Sequence, residues 1–484
     1  MIEINLSTLI NFIKKDKPVD GYLINLQEKE ELFLSDIYII DIKISNCKFI
    51  NGDLLIYDKY DGITEKNEGE LNKLLFIENC EFEGLKFENC EIKNIEIKKS
   101  LITKNELNIH TCIFEKLDIW GFNKLSFNLC LKNVIVQTKC QIIGNDYKEN
   151  GLLSIINSSL KNSSFRESKF NRINLFESNF LGFFDFYKNY FDNSGGQFTF
   201  YECVFEKANF NETTFSHYSD FKNCKFFKTT LFQDINSLTN SCIYFENCLF
   251  DSFVQFNHAS IHKIEIDNVK FNDVASFQNT YFDKIFIDRT IFEKGALFDD
   301  IQIKNIDNCD RRTIRTIKLQ LQKAENKIDF NRFRVYEFNA YQEDIKQKLI
   351  AFKKDQNRFY HRKREPIQLK RDLFILRISE FVSEYGTDWK RALKFTFFSG
   401  LIIYIFFYIT ENFSHEIDIS DFDNWARFIS GLFRFFLVTD FYNPLEVGRV
   451  YLTNPFSWIV FMFGKIVIAF GIYEMIQSFR KFKA

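Results

Sequence analysis

The stretch "CEFEGLKFENCEIKNIEI", residues 80 to 97, places a large apolar side chain at every fifth position, at Phe82, Phe87, Ile92 and Ile97. A half-buried strand repeats every two residues and an amphipathic helix about every 3.6 residues, so neither element explains this spacing. A period of five instead predicts short extended sides, each pointing one large side chain inward before the chain turns a corner.

The five-residue ladder continues along much of the first 300 residues, and a smaller residue often precedes each large one by two positions, as at Cys80 and Ala208. Steps of six recur at a constant interval, beginning at Phe250, Phe271 and Phe292. That interval equals three sides of five residues and one of six, which predicts a solenoid of stacked four-sided coils. The expected inward residues include Phe82, Phe87, Ile92, Phe165, Phe170, Phe205, Phe210, Phe215, Phe256, Phe277 and Phe298.

The segments "ENCEFEGLKFENCEI" and "FEKANFNETTF" resemble pentapeptide repeats. This resemblance implies a right-handed quadrilateral β-helix with the central Leu or Phe of each repeat inside. It covers about residues 34–305, with interruptions at 56–74, 119–159 and 232–243. Phe, Ile and Cys stand here where that family more often has Leu and Ala. The resemblance implies a mainly β solenoid, and the segments that follow it in the chain predict an α-helical linker and two transmembrane helices.

The domain organisation follows from a change of pattern and of charge. Residues 1–308 hold 34 Lys and Arg against 45 Asp and Glu, whereas residues 309–484 hold 29 against 20. We expect an N-terminal cap at 1–33, the β-helix at 34–308 and an amphipathic helical segment at 309–390. That segment is expected to cap the open end of the β-helix, and a coiled-coil seam between copies is the alternative.

The 11 cysteines are interpreted as structural, since none forms a CxxC motif. His258 and His262 lie four residues apart on a coil rather than on a helix, so a metal pair is not favoured. No nucleotide-binding or hydrolase motif is found in the sequence, and we expect no catalytic residue, metal or cofactor. Five cysteines occupy the small inward position and are expected to be buried, reduced thiols of a cytosolic domain: Cys80, Cys90, Cys203, Cys224 and Cys248.

Some pentapeptide-repeat proteins mimic the phosphates of DNA with acidic side chains, and the resemblance suggests such an acidic column at Glu78, Glu83 and Glu88. Lysines between these residues dilute the charge, so a merely solvated face is favoured. Nucleic acid is therefore not an expected partner.

Two apolar segments predict membrane spans at about 392–410 and 455–476, within a membrane module at 391–484. Basic residues precede the first span and follow the second, whereas the connection between them is acidic. By the positive-inside rule both termini, and with them the β-helix, lie in the cytoplasm. The resemblance implies a bacterial inner membrane.

The connection contains an amphipathic helix at about 425–439. It is interpreted either as a helix on the outer membrane surface or as a re-entrant pore helix, because two-span cation channels have the same order of elements. Lys465 lies near the middle of the second span, and Asp440 is its expected partner. Together with Arg434 and Glu474, these residues are the membrane or pore candidates.

We expect a non-enzymatic, membrane-anchored scaffold or sensor whose β-helix binds a protein partner while the spans contact the lipid bilayer. The alternative is an oligomeric two-span ion channel or membrane-perturbing effector gated by the β-helix. A homo-oligomer is required by the second function and not by the first.

Overall fold

The structure is a computed structural model of the chain. Its two compact units are Met1–Ala324, the solenoid unit, and Glu325–Ala484, the helical unit. The residues it describes are 1–17, 19–26, 31–34, 41–57, 73–103, 106–121, 128–144, 151–191, 197–215, 218–354, 364–412, 422–446 and 448–480.

The described part of the solenoid unit contains short strands that pair only in parallel. In chain order the strands are β1 Ile2–Asn5, β2 Val19–Asp20, β3 Tyr22–Asn25, β4 Glu31–Phe33, β5 Asp41–Ser45, β6 Lys48–Ile50, β7 Asp53–Tyr57, β8 Leu74–Glu78, β9 Glu81–Phe82, β10 Gly84–Glu88, β11 Glu91–Lys98, β12 Leu101–Ile102, β13 Leu107–His110, β14 Ile113–Trp120, β15 Leu129–Lys132, β16 Ile135–Ile143, β17 Leu152–Ile156, β18 Ser159–Lys161, β19 Ser163–Ser164, β20 Lys169–Phe170, β21 Arg172–Phe176, β22 Asn179–Asp185, β23 Tyr190–Phe191, β24 Gln197–Tyr201, β25 Val204–Asn209, β26 Thr214–Phe215, β27 Tyr218–Lys222, β28 Lys225–Phe226, β29 Thr230–Leu231, β30 Asn236–Ser237, β31 Cys242–Glu246, β32 Leu249–Phe250, β33 Val254–Gln255, β34 Ser260–Asp267, β35 Lys270–Phe271, β36 Ala275–Ser276, β37 Tyr281–Asp288, β38 Ile291–Phe292, β39 Ala296–Leu297 and β40 Gln302–Ile303.

Each strand pairs with the strand one coil away. Leu249 aligns with Lys270, and Lys270 aligns with Ile291 at the same interval along the chain. Strands β32 and β33 form two sides of this coil, and β34 spans the other two, pairing first with β30 and then with β31. About 12 turns stack in this way, a length of about 60 Å at about 4.8 Å per coil. The predicted β-solenoid followed by helices is confirmed.

The core consists largely of stacked phenylalanine rings, because side chains at equivalent positions repeat at the spacing of the parallel ladder. The inward residues predicted from the sequence, from Phe82 to Phe298, are at most 1% exposed. In one column Phe232, Phe256, Phe277 and Phe298 lie 4.7 to 4.9 Å apart between ring centroids, with interplanar angles of 1 to 5°.

The corners explain the triplet "ENC", which occurs at residues 78, 88 and 246. The asparagine adopts a left-handed conformation, with φ of 54° at Asn247, which Asn tolerates better than most residues. The following cysteine then points inward, and the Cys248 Sγ donates to the carbonyl oxygens of Glu246 and Phe221 at 3.4 and 3.2 Å. All 11 cysteines are free thiols, and all except Cys130 are buried. The expectation of buried structural thiols fits this arrangement.

The strand register corrects two expectations. Strands β15 and β16 continue the ladder inside the expected interruption at 119–159, where a longer coil aligns Leu129 with Leu153. The stacking of Glu78, Glu83 and Glu88, on which the disfavoured acidic column depended, is wrong, because residues five apart lie on successive sides of one coil rather than above each other. Glu78 aligns with Ser45 and Lys98, and Glu88 aligns with Tyr57 and His110.

Helices cover both ends of the solenoid. Helix α1, Leu6–Lys14, buries Leu6, Leu9 and Ile13 beside the first strands. Helix α2, Arg311–Lys323, follows a 3₁₀ turn at Ile306–Asn308 and buries Ile314, Ile317 and Leu321.

Helix α2 also pairs with the backbone of the last coil. The Ile287 N–H donates to the Thr313 hydroxyl at 2.8 Å, and the Ala296 N–H donates to the Gln320 side-chain oxygen at 3.2 Å. Two backbone N–H groups of the last coil, which a further coil would otherwise pair with, thus donate to side chains of α2.

The described part of the helical unit contains five helices. The helix at 422–436 overlaps the amphipathic helix predicted at about 425–439, and the helix at 455–480 covers the span predicted at about 455–476. Two of the helices, Trp389–Glu411 and Pro455–Phe479, are long and apolar enough to cross a membrane, by length and composition. The helices are α3 Lys327–Lys354, α4 Arg364–Ser383, α5 Trp389–Glu411, α6 Phe422–Phe436 and α7 Pro455–Arg480.

Candidate membrane module

Helices α5, α6 and α7 share one apolar core. Helices α5 and α7 run antiparallel, and the Asn454 side chain donates to the Thr410 carbonyl at 3.3 Å, where the end of α5 lies beside the start of α7. The buried core of this membrane module comprises Tyr404, Phe407, Phe435, Leu445, Leu452, Phe461 and Ile468.

Helix α6 runs back between the two long helices toward their middles. The Tyr404 hydroxyl donates to the Phe428 carbonyl at 2.6 Å, halfway along α6. At the end of α6, a methyl group added at Gly400 would lie 2.6 Å from the Phe436 ring, and one at Gly464 would lie 2.5 Å from the Phe435 ring. Both glycines are well inside their helices, α5 and α7. At about 1.5 Å per residue, α6 therefore ends roughly 15 Å inside the helix pair.

Lys465 lies against the C-terminal end of α6. The residue is only 3% exposed, and its ammonium group donates to the carbonyls of Phe435 at 2.9 Å, Leu437 at 2.7 Å and Arg434 at 3.4 Å. The ammonium also lies 4.7 Å from the centroid of the Phe461 ring. These carbonyls carry the negative end of the helix dipole, so the lysine caps α6 within the same chain.

Asp440 was expected to pair with Lys465, but the structure gives each residue a different contact. The Asp440 carboxylate lies 3.6 Å from Arg434 Nε, whereas the Lys465 ammonium donates to carbonyls. The sequence could not have shown this arrangement, because free helix-end carbonyls are backbone groups that every residue type supplies.

Two arginines of α6 hold the segment that follows it. Arg427 Nε donates to the Leu445 carbonyl at 2.9 Å, and Arg434 Nη1 donates to the Glu446 carbonyl at 2.6 Å. The buried Asn443 side chain donates to the Glu411 carboxylate at 3.1 Å. Hydrogen bonds therefore connect the segment between α6 and α7 to both α5 and α6.

Glu474 lies in a separate polar cluster at the other end of α7. Its side chain is 6% exposed and accepts a hydrogen bond from Ser383 Oγ, which in turn accepts from the Gly386 N–H at 2.7 Å. Arg334 Nη2 donates to the Tyr385 carbonyl at 3.0 Å in the same turn. Glu474 is thus brought together with the turn between α4 and α5, and not with Lys465, Asp440 or Arg434.

Tyr385 joins this turn to α3. Burial raises the pKa of Tyr385 to about 12, so the hydroxyl stays protonated at neutral pH. It donates to Asn339 Oδ1 at 3.0 Å and accepts from the Gln342 amide. Sequence reasoning missed this cluster, because its members lie far apart in the chain, on α3, on α7 and in the turn after α4.

The outer surface of the membrane module is strongly apolar. Its large side chains are 50 to 71% exposed on all three helices, a distribution expected of a surface that faces lipid or another apolar partner. The exposed residues include Phe398, Ile402, Phe406 and Ile409 of α5, Trp425, Ile429 and Phe433 of α6, and Phe456, Ile459, Phe463 and Ile466 of α7.

The solenoid unit has a groove on one side, lined by Glu96, Asp118, Trp120 and Gln141 among others. Trp120 is 39% exposed, and the Lys98 ammonium lies 4.8 Å from its ring centroid. Burial raises the pKa of the Asp118 carboxyl, with Lys139 opposing the rise, and its Oδ1 has no hydrogen-bond partner among the described residues. The groove offers an aromatic surface beside two carboxylates.

The histidines form no metal pair in the part of the chain that the structure describes. His262 Nδ1 lies 2.8 Å from Asp283, whereas His258 occupies a left-handed corner with φ of 58°. Within the same ranges, no group of three or more His, Cys, Asp or Glu side chains is placed to hold a metal ion.

Comparison with known proteins gives no match: no family model, no curated protein and no solved structure is similar to this chain.

Proposed function

We propose that this protein is a membrane-anchored pentapeptide-repeat scaffold or sensor, a binding protein rather than an enzyme. In this proposal the β-solenoid binds a protein partner and α5 to α7 hold the chain in a bilayer. Four-sided coils with phenylalanines stacked from one coil to the next support the pentapeptide-repeat identity. The proposal includes a bacterial inner membrane, with the solenoid and the C-terminus cytoplasmic.

The observation that carries the anchoring role is the position of Lys465. Its ammonium group has three carbonyl partners from one chain, so its charge needs no water-filled pore and no second subunit. A charge satisfied in this way is tolerated at membrane depth. The exposed Lys390, Arg391 and Lys394 at the start of α5 support a cytoplasmic location for that end of the helix. The flanking segments 355–363, 413–421 and 481–484, which entered the charge argument, lie outside the described residues.

On the solenoid, the groove at Trp120 is the surface we assign to the partner. A half-exposed aromatic ring in a groove that carries both carboxylates and lysines is typical of a contact for a protein segment with apolar and charged side chains.

A photo-crosslinking experiment in cells tests the scaffold. A crosslinking amino acid at Trp120 is expected to capture one protein partner, whereas the same group at Tyr218, also exposed but elsewhere on the solenoid, is the matched control. Equal capture at both sites, or none at either, would contradict the assigned surface.

An oligomeric channel or membrane-perturbing effector is the second candidate, favoured by one observation. Helix α6 ends about 15 Å inside the helix pair, near the middle of a hydrocarbon layer about 30 Å thick, as a re-entrant helix would. Currents through planar bilayers and the oligomeric state in detergent separate the candidates. A stable monomer with no current supports the anchor, whereas a stepwise current whose selectivity changes in Lys465→Ala would establish the channel.

A further inference from the structure

Helix α4 is apolar on two opposite faces. One face packs on α3, where Gln342 donates to Glu380 at 2.8 Å, and the half-buried Leu369, Leu373 and Leu376 lie on the same side of the helix as Glu380. The other face exposes large apolar side chains at spacings of seven, four and three residues, which places them in one stripe. This stripe consists of Ile367, Phe374, Ile378 and Phe381, which are 54, 65, 37 and 74% exposed.

The stripe is bordered by positive charge. Lys370, Arg371 and Arg377 are exposed and lie within about 70° of its centre at about 100° per residue, whereas Asp372 and Glu380 fall on other sides of the helix. A central apolar stripe with long cationic side chains at its edges is the pattern of a helix that lies in a membrane interface.

The stripe is continuous with the apolar surface of α5. The Phe381 ring lies 6.2 Å from that of Phe395, edge to face, and Leu393 and Phe398 beside it on α5 are exposed. Lys394, which adjoins Phe395 in the sequence, lies near the start of the candidate span. Phe381 therefore lies at the depth where α5 would enter the bilayer.

We propose that α4 binds the membrane surface, with its apolar stripe among the acyl chains and Lys370, Arg371 and Arg377 on the phosphates of anionic lipids. This inference depends on the proposed anchoring by α5 and α7. A two-fold contact between copies through the same stripe would bring like charges together, which makes lipid the better occupant.

The test uses the full chain in nanodiscs of phosphatidylcholine, with or without phosphatidylglycerol. A photo-crosslinking amino acid is placed at Phe374 in one protein and at Phe381 in another. Ile405 on α5 is the site expected to contact lipid in any anchored form, and Tyr218 on the solenoid is the aqueous control. Mass spectrometry then identifies adducts with lipid or with a second chain.

Lipid adducts at Phe374 and Phe381 that increase several-fold with phosphatidylglycerol, an increase lost in Lys370→Gln/Arg371→Gln/Arg377→Gln, would establish the inference. Lipid adducts at Ile405 without adducts at Phe374 would overturn it and leave the anchor intact. Adducts between two chains at Phe374 would overturn the inference, because they would show that a second copy of the chain, and not lipid, covers the stripe. Absence of lipid adducts at Ile405 as well would overturn the anchor and this inference together.

Discussion

The buried ammonium group of Lys465 is expected to stabilise the membrane module by capping α6. Lys465→Met keeps the apolar stem but leaves the α6 carbonyls without their charged donor. We expect the free energy of unfolding of the membrane module to fall by about 1.5–3 kcal/mol, the range for hydrogen bonds to a charged group. Thermal unfolding in detergent measures the change, with the exposed Lys394→Met as control. Unchanged stability of Lys465→Met would mean that the ammonium does not cap α6.

The phenylalanine columns make a second residue-scale prediction. Phe256→Ala removes a ring that stacks on Phe232 and Phe277, and neighbouring coils cannot collapse into the gap because their backbones are paired. We expect a cost of about 3–5 kcal/mol. The unfolding transition followed by circular dichroism measures it. Phe227→Ala, at a residue 47% exposed, is expected to stay within about 0.5 kcal/mol of the parent.

Asp118 makes a prediction about pH. Because burial raises its pKa in the folded state, the folded protein holds this proton more tightly than the unfolded chain, and stability falls as pH rises through the raised pKa. Asp118→Asn should therefore have a higher Tm than the parent at neutral pH and the same Tm below about pH 3.5, where both states bind the proton. Glu88→Gln on an exposed side should change neither value. A Tm difference that grows as pH falls would contradict the sign.

At the scale of elements, α2 decides whether the last coil has a free edge. Ile317 is fully buried against that coil, whereas Leu319 on the same helix is 46% exposed. Ile317→Asp should detach α2, and the backbone amides of Ile287 and Ala296 should then exchange hydrogen much faster in the otherwise folded chain. Leu319→Asp is the matched control. Protection retained in Ile317→Asp would show that the coil does not need the helix.

At the scale of the whole molecule, the boundary between the units predicts which fragment is soluble. A chain ending at Ala324 keeps α2 on the last coil and should be a soluble monomer, whereas a chain ending at Asn308 exposes an unpaired parallel edge and should aggregate. Size-exclusion chromatography of the two fragments measures the difference. A monomeric fragment ending at Asn308 would contradict it.

Some of these features could be predicted from the sequence because they repeat locally. The inward ladder and the small inward cysteines depend on a spacing of five, the two apolar helices depend on unbroken apolar runs, and the structure follows both. The columns of outward side chains could not be predicted, because they depend on coil lengths that vary. Leu152 aligns with Arg172, for example, whereas a longer coil aligns Leu129 with Leu153. The lengths of the neighbouring coils likewise decide that Glu78 aligns with Ser45 on one side and with Lys98 on the other.

A β-solenoid with an aromatic core followed by two apolar helices can be predicted from local pattern alone, because a repeated inward position needs only neighbouring residues to agree. Packing between distant segments sets the other features: Lys465 caps α6, Asp440 pairs with Arg434, and Glu474 binds the Ser383 turn. Two of these contacts involve backbone or hydroxyl groups that carry no signature in a sequence. The depth that α6 reaches between α5 and α7 was likewise decided by packing, since only glycine at positions 400 and 464 leaves room for its last two phenylalanines.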